Sequence, residues 1–187
     1  EAGKRTTATI VREGGKAIFI RADVGKTAQV KRMIERTASA FGRLDIIHNN
    51  AIWFRNGKAT ELDEKDWDRT LDVGLKTVFL SAKYVVPVMR ETGGGAIVNT
   101  ASVHSLVSFE EHTAYDAAKA GLLGLTRVLA LDFGPDIRVN SVLPGAVLTP
   151  QWKGISKADR RRFADMVPAK RLGTPEDIAS AVLFLAS

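Results

Sequence analysis

A tyrosine and a lysine four residues apart, Tyr115 and Lys119, are the residues of this chain best suited to acid-base chemistry. The apolar residues that follow them have the spacing of one face of a helix. Side chains at positions i and i+4 of a helix lie one above the other, so the phenol and the ammonium can share one site. The same spacing also occurs on ordinary packed or exposed helices, and the pair alone does not decide between the two interpretations.

The chemical reason for pairing these residues is the pKa of tyrosine. A free phenol titrates near 10, about three units above the pH at which a general acid or base works best in a neutral solution. A cation within about 4–6 Å stabilises the phenolate and lowers that pKa. The spacing therefore predicts that Tyr115 is a general acid/base and that Lys119 lowers its pKa.

Ser102 lies thirteen residues before Tyr115, directly after a predicted strand over residues 96–101. The short loop between them can fold the serine hydroxyl back towards the phenol, where it could polarise a carbonyl oxygen. A lone serine in a loop more often forms a turn or caps a helix. The functional interpretation therefore depends on finding the three residues together.

The elements that would position these residues alternate along the chain. Apolar runs predict strands and periodic apolar residues predict helices, the helices being closed by glycine or opened by a cap such as Thr174-Pro175. The predicted strands cover residues 17–22, 44–49, 96–101 and 137–143, and the predicted helices cover residues 1–12, 27–41, 64–90, about 113–133, 156–166 and from 175 onwards.

Strands that alternate with helices predict an α/β fold with a doubly wound parallel sheet, here a single Rossmann-like domain over residues 1–187. Ligands of such sheets bind at the carboxyl ends of the strands. The residues found at these ends are Asp23-Val24, Asn49-Asn50-Ala51, Ser102 and Pro144-Gly145.

Composition narrows the class of protein. Of 187 residues, 45% are hydrophobic and 26% are charged, which is typical of a globular domain, and no apolar run has the length of a membrane span. We therefore predict a cytoplasmic protein without a membrane partner. The chain has no cysteine and three scattered histidines, so thiol chemistry is excluded and a metal site is not predicted. The net charge of +6 is spread along the chain, and nucleic acid is not a predicted partner.

With Ser102, Tyr115 and Lys119 at these spacings in a strand-loop-helix unit, the chain resembles the short-chain dehydrogenase/reductase family, in particular its 3-oxoacyl-carrier-protein reductase and glucose dehydrogenase types. The resemblance implies an enzyme that interconverts a ketone and a secondary alcohol with NAD or NADP. It also implies that Tyr115 is the proton donor and acceptor, that Lys119 additionally binds the nicotinamide ribose, and that Ser102 polarises the substrate carbonyl.

The resemblance further assigns residues to the cofactor. Asp23 and Val24 correspond to the adenine contact, Asn49, Asn50 and Ala51 to the motif behind the adenosine ribose, and the segment from Pro144 and Gly145 through Val147 to Thr149 to the loop that holds the carboxamide. Without the resemblance, Asp23 could equally cap the following helix, and Pro144-Gly145 could be an ordinary turn.

Three features depart from the family pattern. Gly74 stands where the family has an asparagine that completes a proton relay, and Ile52 stands where a glycine normally follows Asn49-Asn50-Ala51. We expect the turn at Ile52 to differ, because isoleucine disfavours positive φ. The glycine-rich turn that holds the pyrophosphate is not in this sequence, so we expect a fold that is incomplete at both ends, lacking the first unit and the last strand.

These departures leave a second function open, namely a non-catalytic member of the fold that acts as a binding or scaffold protein. The small-molecule substrate itself is not identified by the sequence. His104 and His112 flank the predicted site and could line it or simply belong to the loop, and the basic run Arg160-Arg161-Arg162 would suit an acidic or carrier-bound substrate. A homo-oligomer, tetramer or dimer, is the assembly implied by the resemblance.

Overall fold

A computed structural model describes residues 1–187, apart from the side chain of Gln151. Among the described residues, one sheet is present, with three parallel strands in the order β1-β2-β3. The strands are β1 (Ile46–Asn49), β2 (Gly95–Thr100) and β3 (Ile137–Val142). Asn49 is in register with Asn99, so β1 and β2 end at the same edge of the sheet. Parallel strands joined by helices confirm the predicted α/β class.

The helices lie close to their predicted positions. They are α1 (Ala2–Arg12), α2 (Thr27–Phe41), α3 (Glu64–Leu71), α4 (Thr77–Glu91), α5 (Thr113–Phe133), α6 (Lys157–Met166) and α7 (Pro175–Ala186). Gly42 ends α2 with a φ of +75°, a conformation that glycine adopts without strain. At the start of α7, Thr174 and Asp177 form a reciprocal capping box, as the threonine-proline pair predicts.

One predicted strand is wrong. Residues 17–22 form no strand, and Ile18 and Phe19 are 44% and 42% exposed. A strand needs a neighbour for its backbone N–H and C=O groups. No strand of the described chain pairs with this segment, so an apolar run of the right composition does not become part of the sheet.

The predicted helix over residues 64–90 is interrupted. Residues Asp72–Lys76 form a π-helical segment between α3 and α4. Gly74 lies at its centre and weakens regular helix because it has no side chain. Thr77, directly after it, donates from Oγ1 to the carbonyl of Val24 at 2.6 Å, which joins the segment to the loop after residue 22. Pro87 lies within α4, which continues to Glu91.

The core fixes α5 against the sheet. Leu122 on α5 is 1% exposed, and Ile97 on β2 and Met89 on α4 are fully buried. Burying an aliphatic side chain of this size stabilises the fold by about 1.5–3 kcal/mol. Because α5 carries Tyr115 and Lys119 and β2 leads into Ser102, this packing sets the distance between the candidate catalytic residues.

Candidate active site

The three predicted catalytic residues meet in one cavity. Ser102 follows β2 directly and is 6% exposed, and Tyr115 and Lys119 lie in the first two turns of α5. All three line a cavity of about 1050 Å³ at the carboxyl ends of the strands. This volume is at the upper end of the range for small-molecule sites. The structure therefore brings together residues that the sequence places up to 17 positions apart.

Lys119 is held inside the protein. Its side chain is anchored by a hydrogen bond from Nζ to the carbonyl oxygen of Thr100 at 2.6 Å, and the residue is 3% exposed. Burial lowers the pKa of Lys119 to about 8, because the protein interior disfavours the charged form. The side chain is still mostly protonated at neutral pH, and a cation therefore remains beside Tyr115.

The structure changes the expectation for Tyr115. Burial raises the pKa of its phenol, the nearby Ser102 hydroxyl lowers it and the Asp116 carboxylate raises it. The Lys119 ammonium lies 5.7 Å from the centre of the Tyr115 ring. The predicted lowering of the Tyr115 pKa is therefore not found in this structure, because the loss of water around the phenol outweighs the effects that favour the phenolate.

Loop residues complete the wall of the cavity. Asn50, Pro144, Gly145, Val147 and Thr149, all assigned to cofactor binding by resemblance, line it. The loop is anchored by two backbone bonds: the Leu148 amide donates to Gly173 at 2.8 Å, and the Gly173 amide donates to Ala146 at 2.9 Å. Thr149 then opens a short 3-10 turn, Pro150–Trp152.

Val24, Asn49 and Ala51 lie apart from this cavity and line a smaller one of about 160 Å³. The Asn49 amide is already bonded within the protein. Its Nδ2 donates to Asn99 Oδ1 at 2.9 Å, and its Oδ1 accepts from Ser81 Oγ at 2.9 Å. The side chain of Asn49 therefore ties β1 to β2 and α4.

Asp23 lines neither cavity. Its Oδ1 lies 2.9 Å from Arg69 Nη1 and accepts the Gly25 amide at 3.1 Å. The hydrogen bond from Arg69 is the largest cause that holds the pKa of Asp23 below its usual value. Asp23 thus stabilises a turn and links it to α3, and it does not cap α2, whose N-cap is Lys26.

Comparison with known proteins identifies the family. The family model described as Enoyl-(Acyl carrier protein) reductase matches residues 1–187. An uncharacterized oxidoreductase of Thermotoga maritima is 41% identical over 193 residues, covering 100% of this chain and 76% of the relative. The cyclohexanol dehydrogenase of an Acinetobacter species is 39% identical over 189 residues, covering 100% and 74%. A solved structure described as a short-chain alcohol dehydrogenase, from Sinorhizobium meliloti 1021, has a TM-score of 0.92 and 33% identity, covering 98% and 74%. The chain belongs to the short-chain dehydrogenase/reductase family.

Family membership confirms the predicted fold and an oxidoreductase that uses NAD or NADP. The donors in the large cavity fit the ribose and nicotinamide end of such a nucleotide. Lys119 Nζ has three N–H donors, and its hydrogen bond to Thr100 occupies one of them. Two donors therefore remain for the vicinal hydroxyls of a ribose. Among the described residues, no group of three histidine or carboxylate side chains is arranged to hold a metal ion.

The two departures at Ile52 and Gly74 are linked in this short-chain dehydrogenase/reductase. A Cβ placed on Gly74 would lie 2.7 Å from Ile52 Cδ1 and 3.4 Å from Ala118 Cβ. Ile52 thus fills the space beside the glycine, and its φ lies outside the positive region, as expected for isoleucine. The hydrophobic side chain occupies the place next to α5 where a polar side chain at position 74 would project.

The structure adds two sets of contacts that the sequence did not predict. His104 Nδ1 lies 2.7 Å from Asp116 Oδ1, and the Tyr115 ring packs among aromatic side chains with ring centres 4.6 Å away for Phe54 and 5.4 Å away for His104. The positions of His104 two residues after Ser102 and of Asp116 next to Tyr115 were the available signal. Neither position shows by itself that the two side chains meet.

No helix among the described residues is long and apolar enough to cross a membrane. Arg160, in the predicted basic run, donates from Nη2 to the Trp152 carbonyl at 2.7 Å, and Arg161 pairs with Asp165 at 3.1 Å. Both side chains therefore have partners within or next to α6.

Proposed function

We propose that this protein interconverts a ketone and a secondary alcohol by hydride transfer with NAD(H) or NADP(H), with Tyr115 as the general acid/base. The observation that carries the proposal is the convergence of Ser102, Tyr115 and a buried, protonated Lys119 on one cavity. In this proposal Tyr115 and Lys119 contact the nicotinamide ribose, Asn50 belongs to the motif behind the adenosine ribose, and the loop from Pro144 to Thr149 holds the carboxamide.

The geometry supports a defined role for Ser102. Its Oγ accepts the backbone amide of His104 at 3.2 Å, so its own O–H proton remains available as a donor. A substrate carbonyl oxygen placed between Ser102 and Tyr115 would accept hydrogen bonds from both hydroxyls. These bonds stabilise the negative charge that develops on that oxygen during reduction.

Proton transfer then completes the reduction. A reduced nicotinamide nucleotide held by Lys119 and the loop from Pro144 to Thr149 would supply the hydride that the carbonyl carbon accepts. Tyr115 gives its proton to the resulting alkoxide oxygen, and the Lys119 ammonium offsets the charge of the phenolate that remains. In alcohol oxidation the same phenolate takes the hydroxyl proton. The raised pKa of Tyr115 keeps the phenol protonated at neutral pH, which favours the reduction of ketones.

The decisive experiment replaces Tyr115 with Phe. The variant keeps the ring but loses the proton, so we expect turnover of a ketone to fall by about 10²–10⁴-fold or more, the range for loss of a general acid. Binding of NADH or NADPH, followed by protein fluorescence, should change little. Substantial ketone reduction by the variant would show that another residue is the acid.

A control on the wild-type protein separates this proposal from a non-catalytic role. If neither nucleotide binds saturably, the enzyme interpretation fails and a binding or scaffold function replaces it. An enoyl thioester serves as the comparison substrate, because the matching family model carries that description. Reduction of the enoyl thioester but not of ketones would show that the enzyme reduces a carbon–carbon double bond and not a carbonyl group.

We also propose a homo-oligomer in the cytoplasm. Apolar side chains on α4 and α5 support the assembly, since Phe79 is 48% exposed, Val128 46% and Leu131 83%. Faces of this kind are commonly covered by another subunit. Light scattering on the purified protein measures the mass in solution, and a monomer at all concentrations would contradict the assembly.

A further inference from the structure

The turn that follows Ser102 is fastened to α5 by two side-chain contacts. Within this 3-10 turn, Val103–Ser105, His104 Nδ1 lies 2.7 Å from Asp116 Oδ1 and Ser105 Oγ donates to the Lys119 carbonyl at 2.8 Å. The His104 and Asp116 side chains are 16% and 14% exposed, so water competes little for their contact. The turn that carries the serine is therefore held in register with the helix that carries the tyrosine and lysine.

His104 contacts both sides of the predicted reaction centre. Its backbone amide donates to Ser102 Oγ at 3.2 Å, and its ring stands edge-on to the Tyr115 ring, with centres 5.4 Å apart and planes at 85°. Because an ionised carboxylate only accepts hydrogen bonds, the proton between the pair belongs to Nδ1 of His104. One residue thus contacts the Ser102 hydroxyl, the Tyr115 ring and the Asp116 carboxylate.

Asp116 matters because it is next to Tyr115. Burial is the largest cause that raises the pKa of the Tyr115 phenol, and the negative charge of Asp116 is the other cause that raises it. The titratable groups around this phenol are Lys119 and Asp116 on α5, His104 from the turn, and His112, whose ring centre is 6.1 Å from that of Tyr115. A hydrogen bond from His104 to Asp116 partly neutralises the carboxylate charge, so that this charge acts less strongly on the phenol.

We propose that His104 and Asp116 form a positioning pair that aligns Ser102 with Tyr115 and limits the effect of the Asp116 charge on the phenol. The inference rests on the proposed function, since it assigns the pair a part in the same reaction. His104 and Asp116 act through Ser102 and Tyr115 and need not touch the substrate.

The pair can be separated into its parts by four variants. His104→Asn keeps an N–H donor near the position of Nδ1, whereas His104→Ala removes it. Asp116→Asn keeps an acceptor oxygen but removes the charge. Ser105→Ala is the matched control, because it deletes the other contact between the turn and α5 and leaves Ser102, His104 and Asp116 in place.

Steady-state kinetics test the alignment. We expect kcat for a ketone to fall about tenfold or more in His104→Ala, with KM for the nucleotide little changed. We expect His104→Asn to stay within about threefold of wild type, because the hydrogen bond is kept. Ser105→Ala removes the second contact but leaves the bonds among Ser102, His104 and Asp116, so we expect a smaller loss of kcat than in His104→Ala. Loss of kcat in His104→Asn equal to that in His104→Ala would overturn the assignment of Nδ1 as the aligning group.

Tyrosine absorbance tests the electrostatic part without substrate or nucleotide. The chain has two tyrosines, so Tyr84→Phe leaves Tyr115 as the only phenol. In this background we expect Asp116→Asn to lower the midpoint of tyrosinate formation and Ser105→Ala to leave it in place, with circular dichroism confirming folded protein at each pH. We expect His104→Ala to raise the midpoint, because the Asp116 charge then has no hydrogen-bond partner, and His104→Asn to leave it in place. Equal midpoints with and without His104→Ala would overturn the electrostatic role.

The two proposals can fail separately. If Tyr115→Phe is as active as wild type, the proposed function fails, while the tyrosinate titration still decides whether Asp116 acts on this phenol. If Tyr115→Phe is inactive but all four variants match wild type in kcat and midpoint, the positioning pair is wrong and the proposed function stands. Should His104→Ala not fold, His104→Asn and Asp116→Asn carry the test.

Discussion

The two halves of the predicted site use polar side chains in different ways. On the acid/base side, Ser102, Tyr115 and Lys119 open into the large cavity and keep donors available. On the side assigned to the adenosine end of the nucleotide, Asn49 and Asp23 are already bonded to protein groups. The polar side chains of the predicted site therefore divide into those that face the large cavity and those that bond to other parts of the protein.

The largest expected effect is on the acid/base side. Lys119→Met removes the cation beside Tyr115 and the free donors of Nζ, so we expect turnover to fall by about 10²-fold or more and nucleotide affinity to fall with it. Tyr115→Phe should affect turnover alone. Measuring kcat and nucleotide binding for both variants distinguishes the two roles, and unchanged nucleotide affinity in Lys119→Met would remove Lys119 from the proposed ribose site.

The same variant gives a pH-dependent stability difference. Lys119 releases its proton at about 8 in the folded protein and near its ordinary value of 10.5 when unfolded. Between these values the unfolded state binds more protons, so the free energy of unfolding contributed by Lys119 rises with pH. Relative to Lys119→Met, we expect a gain on the order of 3 kcal/mol across this window.

Denaturant unfolding at several pH values measures that gain. Lys83→Met is the matched control, because it removes an exposed lysine on α4. A difference between wild type and Lys119→Met that stays constant from pH 8 to 10.5 would mean that Lys119 is not desolvated in the folded protein.

On the side assigned to the adenosine end of the nucleotide, we expect substitutions to lower the free energy of unfolding. Asn99 is fully buried, donates from Nδ2 to Thr126 Oγ1 at 3.0 Å and accepts from Asn49 at 2.9 Å. Thr126 in turn lies 2.8 Å from Ser141 Oγ. These contacts form a polar chain across β1, β2, α5 and β3. Asn99→Ala removes one hydrogen bond from the buried Thr126 hydroxyl and one from the half-buried Asn49 amide and leaves a cavity, so we expect it to cost about 2–4 kcal/mol of unfolding free energy.

Ser141→Ala provides the comparison for this chain of hydrogen bonds. It removes the terminal member and should cost only about 0.5–1.5 kcal/mol. Equal losses of unfolding free energy for Asn99→Ala and Ser141→Ala would show that Asn99 contributes no more to stability than the terminal member of the chain. Nucleotide binding by folded Asn99→Ala should persist, since its side chain bonds within the protein.

Local signals explain what the sequence predicted well. The bounds of α2 followed from Thr27 and Gly42, and the start of α7 from Thr174 and Pro175, because caps act within a few residues. The meeting of Ser102, Tyr115 and Lys119 followed from helical spacing and from the common edge of parallel strands.

Long-range partners explain what the sequence did not give. A strand over residues 17–22 failed for lack of a neighbouring strand, and Asn49 bonds to Asn99 across 50 positions of sequence. The direction of the Tyr115 pKa shift depends on burial, which the spacing of Tyr115 and Lys119 does not contain. The wrong inferences are thus those that needed a partner or an environment built by distant segments.

The smallest expected effect concerns Asp23 and Arg69. Their side chains are 33% and 38% exposed, so solvent weakens the ion pair, and we expect Asp23→Asn to lower the unfolding free energy at neutral pH by less than about 1 kcal/mol. Because the folded pKa of Asp23 is held below its usual value, this contribution is present above pH of about 4 and is lost as the pH falls through the folded pKa.

Asn keeps an acceptor for the Gly25 amide, so Asp23→Asn tests the charge and not the turn. Arg69→Met tests the same pair from α3, and the double variant shows whether the two losses are coupled. If Asp23→Asn instead weakens NADH or NADPH binding by more than about tenfold, the carboxylate faces the nucleotide as well as Arg69. In that case Asp23 would belong with the side chains that bind the nucleotide and not with those that only stabilise the fold.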